Sequence, residues 1–414
     1  MNDILNLLNP WWYGQSFETG IRRTTYYKKL LQALDHKRVV LIVGSRRVGK
    51  TTLFYQLIGK LLKTIPKTHI LYALMDHPQI SSYTVFELLE QFRKQFRHDR
   101  KKRLYLFLDE IQYINDWERQ IKALTDTENV KIFLSGSASS QILLKSPFLT
   151  GRVEKIEVYP LDFKEFLTFR NAKISPTESY KFESYLNEYL KIGGYPEYVL
   201  KTDPSYFSDL INNILYKDIV SLYQIRNPDL LKDLLLLVAD RVGSQTTYAK
   251  LASILTLKND TVKEYMYYLK NTLLVDELHR YSSSRSQRIY GPKKFYITDN
   301  GILFHLLGKL SYSQAFEQTL FRHFRKHNKK VGFYYENQKE VDFVLDTSSG
   351  KEFIEAKYQL QETLDDILEQ YIPVAKSFTA KKITFITHSW EQEKTVNNMK
   401  IKIIPLWKIL MQNS

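Results

Sequence analysis

A short glycine-containing loop between an apolar run and a helix constrains this chain more than any other feature. Residues 38–43 are rich in β-branched side chains, as expected of a strand buried on both faces of a sheet. Gly44 follows, and Gly49-Lys50-Thr51 then completes the phosphate-binding pattern G-x-x-x-x-G-K-[ST]. An amphipathic helix comes next. A strand, a loop and a helix in this order predict an α/β domain that binds phosphate groups.

The residue types in this loop explain how it would hold phosphates. Glycines let the backbone curl so that several N–H groups point at phosphate oxygens, and the following helix adds its partial positive charge. Lys50 can reach the β- and γ-phosphates, and the Thr51 hydroxyl can bind Mg²⁺. The predicted nucleotide-binding residues are Gly44, Ser45, Arg46, Arg47, Val48, Gly49, Lys50, Thr51 and Thr52.

A second motif supplies two acidic residues. The apolar run 104–108 ends in Asp109 and Glu110, and ligands of open α/β sheets bind at the carboxyl ends of the strands. Asp109 is predicted to hold Mg²⁺, directly or through water, and Glu110 to orient and deprotonate the attacking water. An acidic pair at a strand end is weak support alone, but its place after Lys50 and Thr51 strengthens it.

Two further polar residues are candidates for the same site. Ser135 ends an apolar run where a sensor residue would contact the γ-phosphate or the attacking water, although a turn of small residues explains the local sequence equally well. Arg152 either forms a local salt bridge or reads the γ-phosphate, in cis or from a neighbouring subunit of a homo-oligomer. The predicted catalytic residues are Lys50, Glu110, Ser135 and Arg152.

Composition limits the class of protein further. The chain of 414 residues is long enough for two or three domains, and its alternating strands and helices predict a parallel, doubly wound α/β sheet. The absence of cysteine excludes disulfides and thiolate metal sites. No apolar run reaches the roughly 18 residues of a membrane-spanning helix, and no basic leader is present, so we expect a cytoplasmic protein. The net charge of +15 favours a polyanionic partner, nucleic acid first.

A different pattern begins near Pro228. Three helical stretches, followed by strands at residues 274–278 and 288–290, predict a winged helix-turn-helix. A winged helix that contacts only protein is the alternative. The residues that could contact DNA are Lys258, Asn259, Thr261, Lys263 and Lys270 on the recognition helix and Arg280, Arg285 and Arg288 on the wing.

The last region carries a third constellation. Asp342 and Glu355 fall on strands that we expect to be neighbours, and Lys357 lies on the same strand face as Glu355. Two carboxylates can hold a hard divalent cation, and a lysine can stabilise a pentacoordinate phosphate, as in metal-dependent phosphodiesterases. Glu317 is a further candidate ligand. The alternative is a surface ladder of charge pairs, although apolar neighbours such as Val341 favour core strands.

With these three blocks in place, the chain resembles a large prokaryotic, especially archaeal, family of AAA-type P-loop ATPases with a winged helix and a C-terminal restriction-endonuclease-like domain. The resemblance implies ATP and Mg²⁺ as cofactors. The expected domains are residues 1–160 (P-loop ATPase), 161–225 (helical lid), 226–300 (winged helix) and 301–414 (restriction-endonuclease-like). The motifs that carry the resemblance are Asn9-Pro10-Trp11-Trp12, Gly44 to Thr52, Leu108-Asp109-Glu110-Ile111-Gln112, Ser135-Gly136-Ser137, Gly151-Arg152, Gly193-Gly194-Tyr195-Pro196, Glu340-Val341-Asp342-Phe343 and Glu355-Ala356-Lys357. Val341 stands where the nuclease pattern usually has proline.

Three functions are compatible with these features. The first is an ATP-hydrolysing AAA-type ATPase that interacts with DNA through the winged helix and the nuclease-like domain, and that switches around Gly193-Gly194, a turn or a hinge. The second is a nucleotide-dependent signalling or scaffold switch with a protein partner. The third is a metal-dependent DNA nuclease regulated by ATP.

Overall fold

The computed structural model describes residues 2–136, 151–175, 177–282, 284–309, 311–327, 329–336, 339–347, 350–359, 371–376, 380, 382–396 and 398–412. The chain divides into two compact units. The first comprises Met1–Tyr159 with Asn271–Leu273, and the second comprises Pro160–Lys270 with Leu274–Ser414. No helix among the described residues has both the length and the apolar character needed to cross a membrane.

A five-stranded parallel sheet forms the centre of the first unit. Its spatial order is β2-β3-β4-β1-β5. The strands are β1 (Val39–Gly44), β2 (Ile70–Leu74), β3 (Leu104–Asp109), β4 (Val130–Gly136) and β5 (Val153–Val158). Every residue of β1 is buried, as a parallel sheet with both faces covered requires. The predicted parallel α/β fold is confirmed.

Helices precede and connect these strands. They are α1 (Asn2–Leu8), α2 (Thr24–Gln32), α3 (Lys50–Leu61), α4 (Val85–Phe96) and α5 (Trp117–Thr127), with short 3₁₀ turns at Pro10–Tyr13, Ala33–Asp35, Lys67–His69 and Ile111–Tyr113. Thr84 and Glu87 form a capping box that starts α4. The α3 helix begins directly at the lysine of the phosphate-binding pattern, so the loop feeds its N-terminus.

The N-terminal segment covers the edge strand β2. The Asn9 amide donates to the Tyr72 carbonyl and accepts from the Tyr72 N–H, at 2.8 Å in both bonds. The Trp12 indole N–H donates to the Ile70 carbonyl at 2.8 Å, and Trp11 and Trp12 are both buried. An uncovered edge would present unpaired backbone groups to other chains. These residues therefore complete the sheet structurally.

The second unit contains two sheets. The larger has the order β13-β14-β12-β11-β10-β9, and the smaller antiparallel sheet has the order β6-β8-β7. The strands are β6 (Gln245–Thr246), β7 (Val275–His279), β8 (Lys293–Ile297), β9 (Val331–Glu336), β10 (Lys339–Thr347), β11 (Gly350–Lys357), β12 (Lys382–Thr387), β13 (Gln392–Val396) and β14 (Met399–Pro405). Side chains from the larger sheet, among them Val344, Phe353 and Ile401, form a buried core.

Helices make up most of the remaining second unit. They are α6 (Phe163–Phe169), α7 (Ser179–Ile192), α8 (Pro196–Leu200), α9 (Tyr206–Asn212), a π-helical segment (Asn213–Val220), α10 (Ser221–Tyr223), α11 (Pro228–Asp240), α12 (Tyr248–Ile254), α13 (Asn259–Asn271), α14 (Arg285–Tyr290), α15 (Asn300–Leu307), α16 (Tyr312–Lys326) and α17 (Leu406–Met411). Segments α9 to α10 run on as one helix, because the connecting residues keep right-handed helical torsions.

The predicted wing strand at residues 288–290 is wrong. That stretch belongs to α14, whose first turn is capped by the Ser284 hydroxyl accepting from the Gln287 N–H. The strand that pairs with β7 is β8, in an antiparallel register that sets Val275 opposite Ile297. All of β8 is buried. Ile289 is a lone β-branched residue among polar ones, and a single such residue does not make a strand when a capped helix begins four residues earlier.

Gly193-Gly194 forms a packed turn between α7 and α8. Gly193 has φ +74°, and a Cβ atom there would lie 1.9 Å from Asp299 Oδ1. The Gly194 N–H donates to Asp299 Oδ2 at 2.7 Å, and a Cβ on Gly194 would lie 2.3 Å from the Leu161 carbonyl oxygen. Of the two predicted alternatives, the structure has the turn. This close packing opposes free hinge motion at the two glycines.

Candidate nucleotide site and carboxylate cluster

The phosphate-binding pattern lies between β1 and α3, as predicted. Gly49 has φ +95°, in the left-handed region that favours glycine. A Cβ on Gly44 would lie 2.5 Å from the Val158 carbonyl oxygen, so that position needs a glycine because β5 passes so close. The buried Arg23 guanidinium donates to the Val48 carbonyl at 2.8 Å and fixes the loop from outside.

Lys50 lies across the loop rather than in solvent. Its side chain is 5% exposed, and its ammonium donates to the carbonyls of Gly44 and Ser45 at 3.1 Å each. Its Nζ atom lies 3.8 Å from Glu110 Oε1. The lysine charge is therefore held between the loop backbone and the acidic end of β3.

Asp109 is the buried centre of the site. The Thr51 hydroxyl donates to Asp109 Oδ2 at 2.5 Å and the Tyr72 hydroxyl donates to the same atom at 3.0 Å. The Ser135 hydroxyl donates to Oδ1. Burial, and then the charge of Glu110, raise the pKa of Asp109, while the hydroxyls of Ser135 and Thr51 oppose that rise. A cation beside Asp109 would favour its ionised form.

Glu110 turns away from the strand that delivers it. Its φ is +55°, a left-handed conformation that costs a non-glycine residue about 1–3 kcal/mol. Its N–H donates to Ser135 Oγ at 3.2 Å, and the Gln112 amide donates to its Oε2 at 2.5 Å. The side chain is 18% exposed. The turn thus separates two adjacent carboxylates, so that one is buried and the other reaches partly into solvent.

The residues of the first unit fit a nucleotide with a hard cation. Oxygen ligands suit Mg²⁺, and the Thr51 hydroxyl and the Asp109 carboxylate already lie within hydrogen-bond distance of each other. The loop supplies backbone N–H groups at the start of α3, where anions are favoured. Sequence reasoning missed Tyr72 and Arg23. Their signal is weak, because a tyrosine inside a strand and an arginine before a helix are common.

Arg152 lies at the amino ends of the parallel strands, whereas the phosphate-binding loop lies at their carboxyl ends. It precedes Val153, which pairs with Val39 at the start of β1, whereas the phosphate-binding loop follows Gly44 at the end of β1. A strand rises about 3.3 Å per residue, so roughly 16 Å separate the first and the last residue of β1. Arg152 instead pairs with Asp126, and both side chains are about half exposed. The structure does not bring Arg152 to the loop in cis. A role in trans stays a prediction.

The second unit brings the predicted carboxylates together. Antiparallel pairing of β10 and β11 places Asp342 beside Glu355. The Asp342 N–H donates to Glu355 Oε1 at 3.0 Å, and the Ala356 N–H donates to Asp342 Oδ2 at 3.1 Å. The register of β10 against β9 shifts between Val341 and Val344, and such bulges redirect side chains. We call Glu317, Glu340, Asp342 and Glu355 the carboxylate cluster.

A lysine that sequence reasoning missed lies inside this cluster. Lys294, on β8, is 1% exposed. Its ammonium donates to Asp342 Oδ1 at 3.0 Å and to Glu317 Oε1 at 3.1 Å, and lies 2.7 Å from Glu340 Oε1. The Tyr296 hydroxyl donates to Glu317 Oε1 at 2.7 Å. The only sequence signal for it was the pair Lys293-Lys294, which stands directly before the apolar residues of β8.

The cluster has perturbed ionisation. Burial, and then the neighbouring Asp342, raise the pKa of Glu317 to about 7. The same two causes raise the pKa of Glu355 well above its usual value. Burial opposes the charge of Asp342, but Lys294 and the Ala356 N–H hold its pKa below the usual value. The cluster therefore has more acid groups than nearby positive charge, and Lys294 is the cation at its centre.

The predicted divalent cation does not fit this arrangement. Within the described part of the chain, no group of three or more His, Asp or Glu side chains has the arrangement of a metal site. Lys357, the lysine of the predicted nuclease pattern, is 40% exposed and lies 3.7 Å from Glu355 Oε2. The lysine among the carboxylates is Lys294 instead.

Comparisons with known proteins support a P-loop ATPase domain in the first unit. Residues 36–167 match the family described as an AAA domain, and residues 183–313 match a family described as a domain of unknown function. An uncharacterized protein of Haemophilus influenzae is 25% identical over 399 residues, which cover 94% of this chain and 98% of that protein. An uncharacterized protein of Methanocaldococcus jannaschii is 28% identical over 397 residues, covering 90% and 88%.

Among solved structures, AMPPCP-bound DnaA from Aquifex aeolicus has a TM-score of 0.30 at 16% identity, covering 60% of this chain and 87% of that one. A TM-score this low adds nothing to the assignment of the site. The family match and the geometry of Lys50, Thr51 and Asp109 agree on one class. The first unit therefore contains an AAA-type P-loop domain.

Proposed function

We propose that this protein is an ATP-hydrolysing AAA-type ATPase that works on nucleic acid. The observation that carries the ATPase part is the convergence of Thr51, Tyr72 and Ser135 on the buried Asp109, with Glu110 and Lys50 beside it. Hydroxyls and a carboxylate at the end of β3, next to a phosphate-binding loop, form the arrangement that phosphoryl transfer needs.

Each residue then has a distinct task. The loop N–H groups and Lys50 bind the phosphates, and Thr51 and Asp109 hold Mg²⁺, which neutralises charge on the transferred group. Glu110 accepts the proton of the attacking water as the bond between the β- and γ-phosphates breaks. Ser135 fixes the backbone of Glu110 through the Glu110 N–H and holds the Asp109 carboxylate.

The second unit supports the nucleic-acid part. The segments α11, β6, α12, α13, β7, α14 and β8 follow each other in the order helix, strand, helix, helix, strand, helix, strand. Apart from the short helix α14 between its two long strands, this order supports a winged helix. Its candidate recognition helix α13 carries little unpaired positive charge, since Lys263 pairs with Asp260 at 3.0 Å and Lys270 with Glu277 at 2.8 Å. Another surface of this unit carries a cluster of basic side chains.

That surface is a groove of about 700 Å³ between the wing and the larger sheet. We call it the basic groove, and its positively charged residues include Arg280, Arg288, Lys329, Lys330 and Lys351. The buried Nε of Arg280 has no hydrogen-bond partner among the described residues. Tyr281 adds an aromatic ring, whereas the lining residue Phe321 is buried. Clustered cations suit a phosphate backbone, and an aromatic ring beside them suits a base.

The test is steady-state ATP hydrolysis with and without DNA, at low and high salt. We expect DNA to stimulate turnover and the stimulation to fade as salt rises, because phosphate contacts release counterions on binding. Turnover that ignores DNA at every salt concentration would contradict the nucleic-acid part. It would favour the nucleotide-dependent switch with a protein partner.

A pair of double variants locates the binding surface. Lys329→Glu with Lys330→Glu should weaken DNA binding at least tenfold and lower the salt slope by about 2, or about 1 per lost phosphate contact. Lys258→Glu with Lys263→Glu is the matched control and should have a smaller effect; both side chains are exposed, Lys258 just before α13 and Lys263 in its first turns. Fluorescence anisotropy with a labelled duplex and a labelled single strand measures both. A larger loss in the control pair would move the contact to α13.

A further inference from the structure

A lysine of the chain lies where a metal ion would bind in the carboxylate cluster. We propose that the Lys294 ammonium is the resident cation among Glu317, Glu340 and Asp342, and that this nuclease-like site is a metal-free ion-pair centre that does not cut phosphodiesters. The proposal concerns the second unit and does not depend on ATP hydrolysis by the first.

The number of donors matches the number of acceptors. A lysine ammonium has three N–H groups, and three carboxylate oxygens lie 2.7, 3.0 and 3.1 Å from Lys294 Nζ. A divalent cation would need the same oxygens at about 2.0–2.6 Å. A metal ion cannot bind there while the ammonium stays, because the two like charges would share one set of ligands.

The position of Lys294 is fixed by its backbone. Lys294 lies in the central strand of the small sheet, where it pairs with Gln245 on one side and Leu278 on the other. Its side chain is 1% exposed, so it has little room to leave the cluster. A lysine on a surface loop could swing out to admit a metal, whereas this one could leave only if the two sheets of the unit separated.

Neighbouring groups hold the acids toward Lys294. The Gln245 amide donates to Glu340 Oε2 at 2.6 Å, and the Tyr296 hydroxyl donates to Glu317 Oε1 at 2.7 Å. A Cβ on Gly243 would lie 2.7 Å from Glu317 Oε2, so the backbone also approaches that acid closely. These supports come from β6, β8 and the residues just before them, which is the same sheet that supplies the lysine.

The test removes the lysine and looks for a metal. Purified full-length Lys294→Ala and wild type are titrated with Mn²⁺ without nucleotide, and free Mn²⁺ is followed by electron paramagnetic resonance. Without nucleotide, the first unit lacks the phosphates that help to hold its cation. We expect Lys294→Ala to bind one more Mn²⁺ than wild type does, because the carboxylates then lack a cation. Any binding of Mn²⁺ to this site in wild type should be at least tenfold weaker.

Lys293→Ala is the matched control. Lys293 is the preceding residue of the same strand, but its ammonium donates to the carbonyls of Ile289 and Gly291 at 2.7 and 3.1 Å. This variant should bind Mn²⁺ as wild type does. A folded Lys294→Ala chain that gains no Mn²⁺ would overturn the proposal.

A second measurement does not depend on whether Lys294→Ala folds. Wild type and Asp342→Asn are compared for Mn²⁺ binding and for cutting of plasmid DNA with Mg²⁺ or Mn²⁺. We expect the same Mn²⁺ stoichiometry and no cutting above background in both. Binding or cutting by wild type that Asp342→Asn abolishes would show a working metal centre, and the proposal would be wrong.

Discussion

Two consecutive acidic residues, Asp109 and Glu110, have different surroundings. Asp109 is fully buried and accepts hydrogen bonds from three hydroxyl groups. Glu110 is partly exposed, and its left-handed backbone aims its side chain toward Lys50. A buried acid that is held by hydroxyls suits a fixed cation ligand, whereas an acid in contact with solvent suits proton transfer. One backbone turn is enough to divide the two tasks.

Replacing Glu110 separates binding from hydrolysis. Glu110→Gln keeps the size and the polarity of the side chain but cannot accept a proton, so the rate of ATP hydrolysis should fall about 10²–10⁴-fold. Nucleotide affinity should stay within a few-fold, since the loop is unchanged. Lys50→Ala is the contrasting variant and should lose most nucleotide binding. Turnover assays and titration with a fluorescent ATP analogue measure the two effects. Normal hydrolysis by Glu110→Gln would mean that another group is the base.

Tyr72 should act through Asp109. Tyr72→Phe removes the 3.0 Å hydrogen bond to Asp109 Oδ2 but leaves the ring in place. Loss of a group that orients a metal ligand typically costs about 10–100-fold in metal affinity or activity. We expect the Mg²⁺ concentration for half-maximal hydrolysis to rise by about tenfold. Nucleotide binding without Mg²⁺ should stay unchanged. Equal losses with and without Mg²⁺ would indicate a purely structural role.

At the scale of elements, β7 is fixed to its neighbours by one acid. The Glu277 carboxylate pairs with Lys270 of α13 at 2.8 Å and accepts from the Tyr248 hydroxyl of α12 at 2.7 Å. Burial disfavours its charge, yet hydrogen bonds from His279 and Lys270 lower the pKa of Glu277 to about 2. The ionised form therefore stabilises the three helix and strand elements together.

The stability that Glu277 provides should depend on pH. Since the pKa is lower in the folded chain than the usual value near 4.5, the stabilisation is present above pH 4.5 and is lost as the pH falls toward 2. Glu277→Gln should cost about 1.5–3 kcal/mol at pH 7. The difference in the free energy of unfolding between Glu277→Gln and wild type should shrink below pH 4.5. Urea unfolding, monitored by hydrogen exchange of the α13 amides, measures this difference.

Asp276→Asn is the matched control for that experiment. Asp276 is the adjacent residue, and its ion pair with Arg325 has both side chains substantially exposed, at 32% and 48%. Exposed pairs are worth about 0–1 kcal/mol. A cost for Asp276→Asn as large as that for Glu277→Gln would contradict the assigned importance of burial.

At the scale of the whole molecule, the two units carry different chemistry. The P-loop residues all belong to the first unit, and the basic groove and the carboxylate cluster belong to the second. Ligand binding stabilises the folded state to which the ligand binds, by about 2.7 kcal/mol at a hundred times the dissociation constant. Nucleotide and nucleic acid should therefore slow amide hydrogen exchange in different segments of the chain.

Hydrogen exchange with each ligand can detect this difference. A non-hydrolysable ATP analogue with Mg²⁺ should slow exchange in β1 and β4, and Lys50→Ala should abolish that effect. A DNA duplex should slow exchange in β7 and β9 instead. Slowing by the analogue of β11 and β12 to the same degree would contradict the assignment of the nucleotide site to the first unit alone.

Part of this molecule could be predicted from its sequence. Lys50, Thr51 and Asp109 follow local rules of spacing on a parallel sheet, and Asp342 lies beside Glu355 because the consecutive strands β10 and β11 pair in antiparallel register. Lys294 could not be found in this way, because its contacts join residues on separate elements of two sheets. The position of Arg152 depends on where β5 begins, since a residue just before a parallel strand lies at the amino ends of the strands, opposite the phosphate-binding loop.

The Lys294 ion-pair centre also limits how this sequence can diverge. A neutral residue at position 294 would leave three acids, all partly exposed, facing one another without their cation, so a second change should often accompany it. Related sequences without this lysine should therefore have lost acids at the positions of Glu317, Glu340 or Asp342, or should hold a metal ion in its place. Substitutions at these four positions should therefore occur together more often than singly.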